Sequence, residues 1–153
     1  MSYYNKIAKG YNQLHGGEQR KKLELIKKNL SIKGLILDVG AGTGLSADYF
    51  ENVILLDPSI EMLKMADGDR VVANAESLPF RDKVFDAVIS VTSLHHADIN
   101  EAVRGIKRVS KSGCKYAFTV LKMSKNYDKI KAELKRNFKL KEIDEEKDTI
   151  LIS

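Results

Sequence analysis

Asp38, Gly40, Gly42, Gly44 and Asp57 are the residues of this chain whose types and spacing could do chemistry together. Glycine lets a backbone take φ > 0 and come close to a ligand. Here the glycines follow an apolar run, Leu35-Ile36-Leu37, and precede Leu45, Ala47, Tyr49 and Phe50. That order predicts a buried strand, a tight turn and a helix, with free N–H groups facing outward as in a nucleotide site. Asp57 closes a second apolar run over 53–56, near the spacing at which such folds place a ribose-binding acid. A carboxylate there accepts both ribose hydroxyls in charge-assisted bonds.

Two features argue against a dinucleotide and against a nicotinamide-dependent oxidoreductase. The pyrophosphate fingerprint is G-x-G-x-x-G, whereas this turn reads G-A-G-T-G, with its third glycine one residue early and Leu45 next. Asp38 stands two residues before the first glycine, where it would repel a pyrophosphate and suit a cationic amine. The expected ligand therefore carries a ribose and a positive group. His95 and His96 form a second constellation, beyond the strand over 84–91. Adjacent histidines lack the i, i+4 spacing of a helical metal pair, so no metal site is expected. An imidazole titrates near neutrality, which makes His95 the candidate catalytic base, with a packing or capping role as the alternative.

These residues must be positioned by one domain spanning 1–153, with N-terminal helices over 1–30 and a core over 34–153. At 43% hydrophobic and 31% charged residues the composition fits a soluble globular chain. No apolar run is long enough to span a membrane, and no apolar signal segment opens the sequence. The lone Cys114 excludes an internal disulfide and a cysteine-based zinc site. A cytoplasmic location is the default expectation. The net charge of +5 reads either as a Lys/Glu-rich surface or as attraction to an anionic partner such as RNA.

Taken in order, residues 2–14 have helical spacing, with Tyr4 and Ala8 four apart, as are Ile7 and Tyr11. Gly16 and Gly17 are expected to break that segment before a second helix over 18–30, with Leu23, Ile26 and Leu30 inward and a solvated basic face. Ser59 is placed to cap a helix with Glu61 and Met62 in its first turn. Further strands are expected over 70–73, 84–91 and 116–121, and helices over 100–110 and 126–136. Residues 111–113 should turn the chain. The strands over 138–143 and 149–152 should pair as an antiparallel hairpin through the charged turn at 144–148. The sum is an α/β fold, Rossmann-like, with a mostly parallel sheet, a C-terminal antiparallel hairpin and helices on both faces.

The acid-x-G-x-G-x-G motif, matched position by position by Asp38, Gly40, Gly42 and Gly44, resembles that of class I S-adenosylmethionine-dependent methyltransferases. The stretch Asn74-Ala75-Glu76-Ser77-Leu78-Pro79-Phe80 resembles the ubiquinone/menaquinone-biosynthesis type (methyltransferase type 11), in which an acid, Ala and Glu precede Leu-Pro-Phe. The resemblance covers essentially the whole chain and implies S-adenosylmethionine as cofactor. It implies that Asp38, Gly40, Ala41, Gly42 and Gly44 hold the methionine portion and Asp57 with Pro58 the ribose. Met62, Asn74, Ala75 and Glu76 would frame the adenine, Val91 would border the site, and Tyr4 and Tyr11 would close over it. The family's adenine-binding acid is Asn74 here, whose carbonyl oxygen can still accept from the amino group. Family members acting on small lipophilic acceptors often carry roofing segments that this chain lacks. An open acceptor site follows, serving a macromolecule or roofed by a second subunit. Basic residues Lys122, Lys125, Lys129, Lys131, Lys135 and Arg136 are expected to flank it, which suits an RNA acceptor. The alternative is a cofactor-binding subunit or interaction module without transfer activity of its own.

Overall fold

Continuous apolar runs give the central strands, because a strand covered on both faces has no polar side to show. The computed structural model describes the backbone from Tyr3 to Ser153 and the side chains from residue 16 onward. In order, the elements are α1 (Tyr3–Asn29), β1 (Ile36–Val39), β2 (Val53–Asp57), α2 (Ile60–Leu63), β3 (Asp69–Val72), β4 (Phe85–Val91), α3 (Ile99–Val109), β5 (Ser110–Leu121), α4 (Tyr127–Asn137), β6 (Lys141–Asp144) and β7 (Asp148–Ile152). The strands form one sheet in the order β3-β2-β1-β4-β5-β7-β6. The first five run parallel, and β7 pairs antiparallel with both β5 and β6.

Alternation along the strands feeds two apolar layers. On one face Ile36, Leu55, Ala87, Ile89 and Ile150 pack against Ile26 of α1 and Leu30 just after it, and against Leu63 of α2 and Ala66 just after it. On the other, Leu37, Val39, Val88, Phe118 and Leu151 pack against Val103 and Ile106 of α3 and Ile130 and Leu134 of α4. Helices therefore cover both faces, as the sequence predicts, and the hairpin closes one edge.

Three local expectations are corrected. Gly16 and Gly17 do not break the first segment, and α1 is continuous through them. Each glycine costs a helix about 1 kcal/mol, which the burial of Leu23, Ile26 and Leu30 on the sheet can offset. The helix expected after the glycine turn is a single 3₁₀ turn, Leu45–Asp48. Asn52, at φ 56°, already steers the chain into β2, and α1 covers the face a longer helix would have taken. The turn expected at 111–113 lies inside β5, where pairing jumps from Phe85↔Ser110 to Ala87↔Lys115. Gly113, at φ 79°, lets the chain bulge there without ending the strand. Among the described residues no helix is long and apolar enough to cross a membrane.

Candidate active site

The carboxyl ends of β1 and β4 meet where the strand order reverses, the place at which open α/β sheets take ligands. The chain leaves β1 with φ of 76° at Gly40, 58° at Gly42 and 81° at Gly44. A Cβ on Gly40 would stand 1.9 Å from Ser93 Oγ, so the turn and the segment after β4 approach this closely only through glycine. Gly44 has a different task. A Cβ there would meet Ala66 at 2.7 Å and Leu55 at 2.9 Å, which makes it a packing position beneath the site.

The amides of the turn are already engaged. Gly40 and Ala41 both donate to the Leu56 carbonyl at 2.8 Å, and Gly44 donates to the Ala41 carbonyl at 2.9 Å. Gly42 donates to Asp57 Oδ2 at 2.8 Å. The expected outward-facing N–H groups are thus absent at these four positions, because β2 ends alongside with a carbonyl and a carboxylate to receive three of them and the turn closes on the fourth. A turn so occupied cannot cradle a phosphate chain, which removes the ground for a dinucleotide.

Asp38 is 3% exposed. Its Oδ2 accepts from Ser46 Oγ at 2.5 Å, whereas its Oδ1 is buried without a hydrogen-bond partner. Burial pushes its pKa up to about 7; the Ser46 hydrogen bond opposes this, and the nearby Asp57 charge adds to it. Asp38 lines a cavity of about 30 Å³ with Gln19, Gly40, Ala41, Gly42 and Thr43. An orphaned buried carboxylate oxygen beside such a cavity suits a cationic amine. Asp57 is also buried, which raises its pKa, and the Ser59 and Gly42 amides pull it back. Its Oδ1 accepts from Ser59 at 2.8 Å, and Ser59 Oγ caps α2 by accepting from Met62 at 3.2 Å.

The adjoining cleft is larger, about 190 Å³, and opens to solvent. Asp57, Pro58 and Met62 line one side, Asn74, Ala75 and Glu76 another, and Val91, Thr92, Ser93 and His96 the third. The second wall is tied down from behind. Arg108 donates to the Leu78 carbonyl at 2.8 Å and the Phe80 carbonyl at 2.6 Å, and pairs with Asp82 at 3.0 Å. Glu76 accepts from the Asp98 amide at 3.3 Å, which joins that wall to the start of α3.

Most of the expected cofactor residues therefore border one of two adjoining cavities, Gly44 excepted. His95 does not border the cleft. It lies against His96, with ring centroids 3.9 Å apart and the planes tilted by 43°, and His96 lines the cleft. Tyr4 and Tyr11 lie outside the described side chains. Sequence reasoning missed Gln19, which carries no local signal, and Ala97, whereas Thr92 and Ser93 stand at the carboxyl end of a strand, the edge where open α/β sheets take ligands. The expected basic flank is partly neutralised: four of its six cations share three carboxylates. Lys122 pairs with Asp144, Lys131 and Lys135 with Glu142, and Arg136 with Glu133.

A family model described as a methyltransferase domain matches residues 37–118, just over half the chain. This chain belongs to that methyltransferase family. Protein MJ1252 of Methanocaldococcus jannaschii is 38% identical over 144 residues, covering 90% of this chain and 57% of its own length. Among solved structures, an S-adenosyl-L-methionine-dependent methyltransferase fold from Methanococcus maripaludis superposes with a TM-score of 0.74 at 19% identity, covering 99% of this chain and 94% of that one. A chain from the complex between the Haloferax volcanii Trm112 methyltransferase activator and a methyltransferase gives a TM-score of 0.77 at 19% identity, covering 94% and 79%. At these identities the two structures show the fold alone. The chain spans about 57% of the length of MJ1252, and 59% and 48% of two further relatives from the same organism.

Proposed function

We propose that the chain is an S-adenosylmethionine-dependent methyltransferase. The observation that carries this reading is the pair of buried acids at the switch point, one with an orphaned oxygen beside a small cavity and one at the mouth of an adjoining cleft. Asp38, with the backbone at 40–42, would hold the ammonium end of the cofactor. Asp57 keeps lone pairs for both ribose hydroxyls after accepting its two amides. Met62 would pack on the adenine face, and Asn74 and Ala75 would meet its edge. Tyr4 and Tyr11 are assigned the closing role implied by the resemblance.

Bound in this way, S-adenosylmethionine supplies a methyl group already activated by its sulfonium charge. The chain's own contribution is then to hold the acceptor in line, about 3–3.5 Å away, in a site with little water. A hydroxyl or amine acceptor must also lose a proton. Burial pulls the pKa of both His95 and His96 below the ordinary imidazole value. Both rings are therefore neutral, and able to accept a proton, at physiological pH. His95 is the proposed base by its sequence position, and His96 is the neighbour that faces the cleft. The acceptor class stays open between a small molecule and RNA or protein. The ion pairs along α4 weaken the case for RNA.

Calorimetry with S-adenosylmethionine, followed by tritiated-methyl transfer to RNA, protein and small-molecule fractions of an extract, tests the reading. Cofactor binding with label in one fraction is the expected result, and the labelled fraction names the acceptor class. No cofactor binding overturns it. A second reading is favoured by the Haloferax volcanii neighbour, which is held in a complex with an activator. The chain would then be a cofactor-binding module that works only with a further subunit roofing the site. Binding without label in any fraction would select it.

A further inference from the structure

The side chains of Lys22 and Asp148 are 3% and 0% exposed. Such groups are rarely buried so fully without a partner, and a buried ion pair gives little net stability over apolar residues of the same volume. Stability alone does not account for the pair. Lys22 Nζ lies 3.0 Å from Asp148 Oδ1 and donates to Thr92 Oγ1 at 2.8 Å. The Thr92 hydroxyl donates to Asp148 Oδ2 at 2.6 Å, and the Thr119 hydroxyl donates to the same oxygen at 3.0 Å. The Thr92 amide donates to Thr119 Oγ1 at 2.8 Å. The Thr92 hydroxyl thus both gives its proton and receives one.

These bonds surround a strained residue. Thr92 has φ 50°, an outlier for a β-branched side chain. Such a conformation persists only where the surroundings over-determine it, and it is commonest at functional sites. Thr92 is the first residue past β4, and it lines the cleft with Val91, Ser93 and His96. Its left-handed turn sends the chain across the mouth of the cleft, where Ser93 Oγ donates to the Val39 carbonyl at 3.0 Å.

The same lysine anchors α1. Glu18 pairs with Lys147, and Lys21 with Glu146 at 3.8 Å, but both pairs are largely solvated and individually weak. Lys22 alone among these carries the attachment into the interior. One turn away, Gln19 borders the small cavity beside Asp38. A single buried pair therefore joins the helix over one end of the site to the wall at the other.

We propose that Lys22 and Asp148 are positioning residues: together they hold Thr92 in its left-handed conformation and so set the wall of the cleft over 91–96, in register with α1. What the cleft holds rests on the methyltransferase reading, whereas the conformation of Thr92 does not.

The test compares wild type with Lys22→Met/Asp148→Leu, which removes both charges and leaves neither buried alone. Hydrogen exchange at the amides of 92–94 and calorimetry with S-adenosylhomocysteine are the readouts. The expected result is a folded variant whose Thr92 amide exchanges at least about tenfold faster and whose affinity falls by about tenfold. Wild-type exchange at those amides in the folded variant would overturn the proposal. If the double variant does not fold, Thr92→Val keeps the pair and removes only the hydroxyl; the same loss of protection is expected, and unchanged protection overturns the proposal. A wild-type protein that binds no cofactor would count against the methyltransferase reading, and the exchange data would still decide the role of the pair.

Discussion

Asp57 Oδ2 receives the Gly42 amide at 2.8 Å, so the acid at the end of β2 and the glycine turn after β1 behave as one unit. The other oxygen receives the Ser59 amide, which adds the start of α2 to that unit. Removing the carboxylate should therefore do two things. Asp57→Ala strands two backbone amides and should lower stability by about 1–3 kcal/mol. Asp57→Asn keeps an acceptor for one of them and should fold better, while still losing about 1–3 kcal/mol of cofactor affinity with the charge-assisted bonds to ribose. Thermal melts with calorimetry on both variants check this, and unchanged affinity in Asp57→Asn would take Asp57 out of the ribose site.

The Asp38 carboxyl should make cofactor binding depend on pH. Its folded-state value of about 7 lies above the ordinary 3.8. A raised value means the folded protein holds the proton more tightly than the unfolded chain. The stability it contributes is complete below 3.8 and is lost as the pH rises to about 7. A cationic amine seated against Asp38 favours the ionised form and should expel that proton. Cofactor affinity should therefore rise with pH up to about 7 and then level off. Calorimetry at pH 6 in buffers of different ionisation heat should show proton release. Asp38→Asn should abolish both effects.

Arg108 acts on the site from behind, through the carbonyls of Leu78 and Phe80. Replacing it with methionine keeps much of the stem and removes the donors. Residues 76–82 should then exchange and be nicked by protease more readily, and cofactor affinity should fall roughly threefold to tenfold, the worth of about one hydrogen bond. Wild-type protection of that loop would show that it holds its shape unaided.

The two histidines separate by position. With the acceptor in hand, His95→Ala and His96→Ala should be compared for transfer rate across pH. A neutral imidazole with a lowered pKa keeps working below 6.5, the ordinary value, and fails only as it protonates. A variant lacking the base should lose that acid limb and at least about tenfold in rate. Wild-type turnover in both variants would end the general-base role.

Much of this arrangement was legible in the chain. Buried strands declare themselves by continuous apolar runs, as over 53–56, and the glycine turn by its spacing. The antiparallel closure followed from the charged turn between the last two strands. What escaped reading depends on partners far away in sequence. Nothing beside Lys22 distinguishes it from Lys21, yet one is buried against Asp148 and the other is solvated. The continuity of α1 through Gly16 and Gly17 depends on a sheet face that only the assembled fold supplies. The charges of α4 read as a flank for an anion because Glu142, which receives two of them, sits on a different element. The engagement of the turn amides likewise needs the end of β2 to lie alongside.

Ile26 of α1 and Ile150 and Ile152 of β7 belong to a single apolar cluster. An early helix and a late strand of this sequence therefore complete the same core. Part of the first helix's apolar stripe stays uncovered until β7 has been made. A chain stalled before residue 148 would lack both the strand and the counter-charge for Lys22, and it should be a client for chaperones.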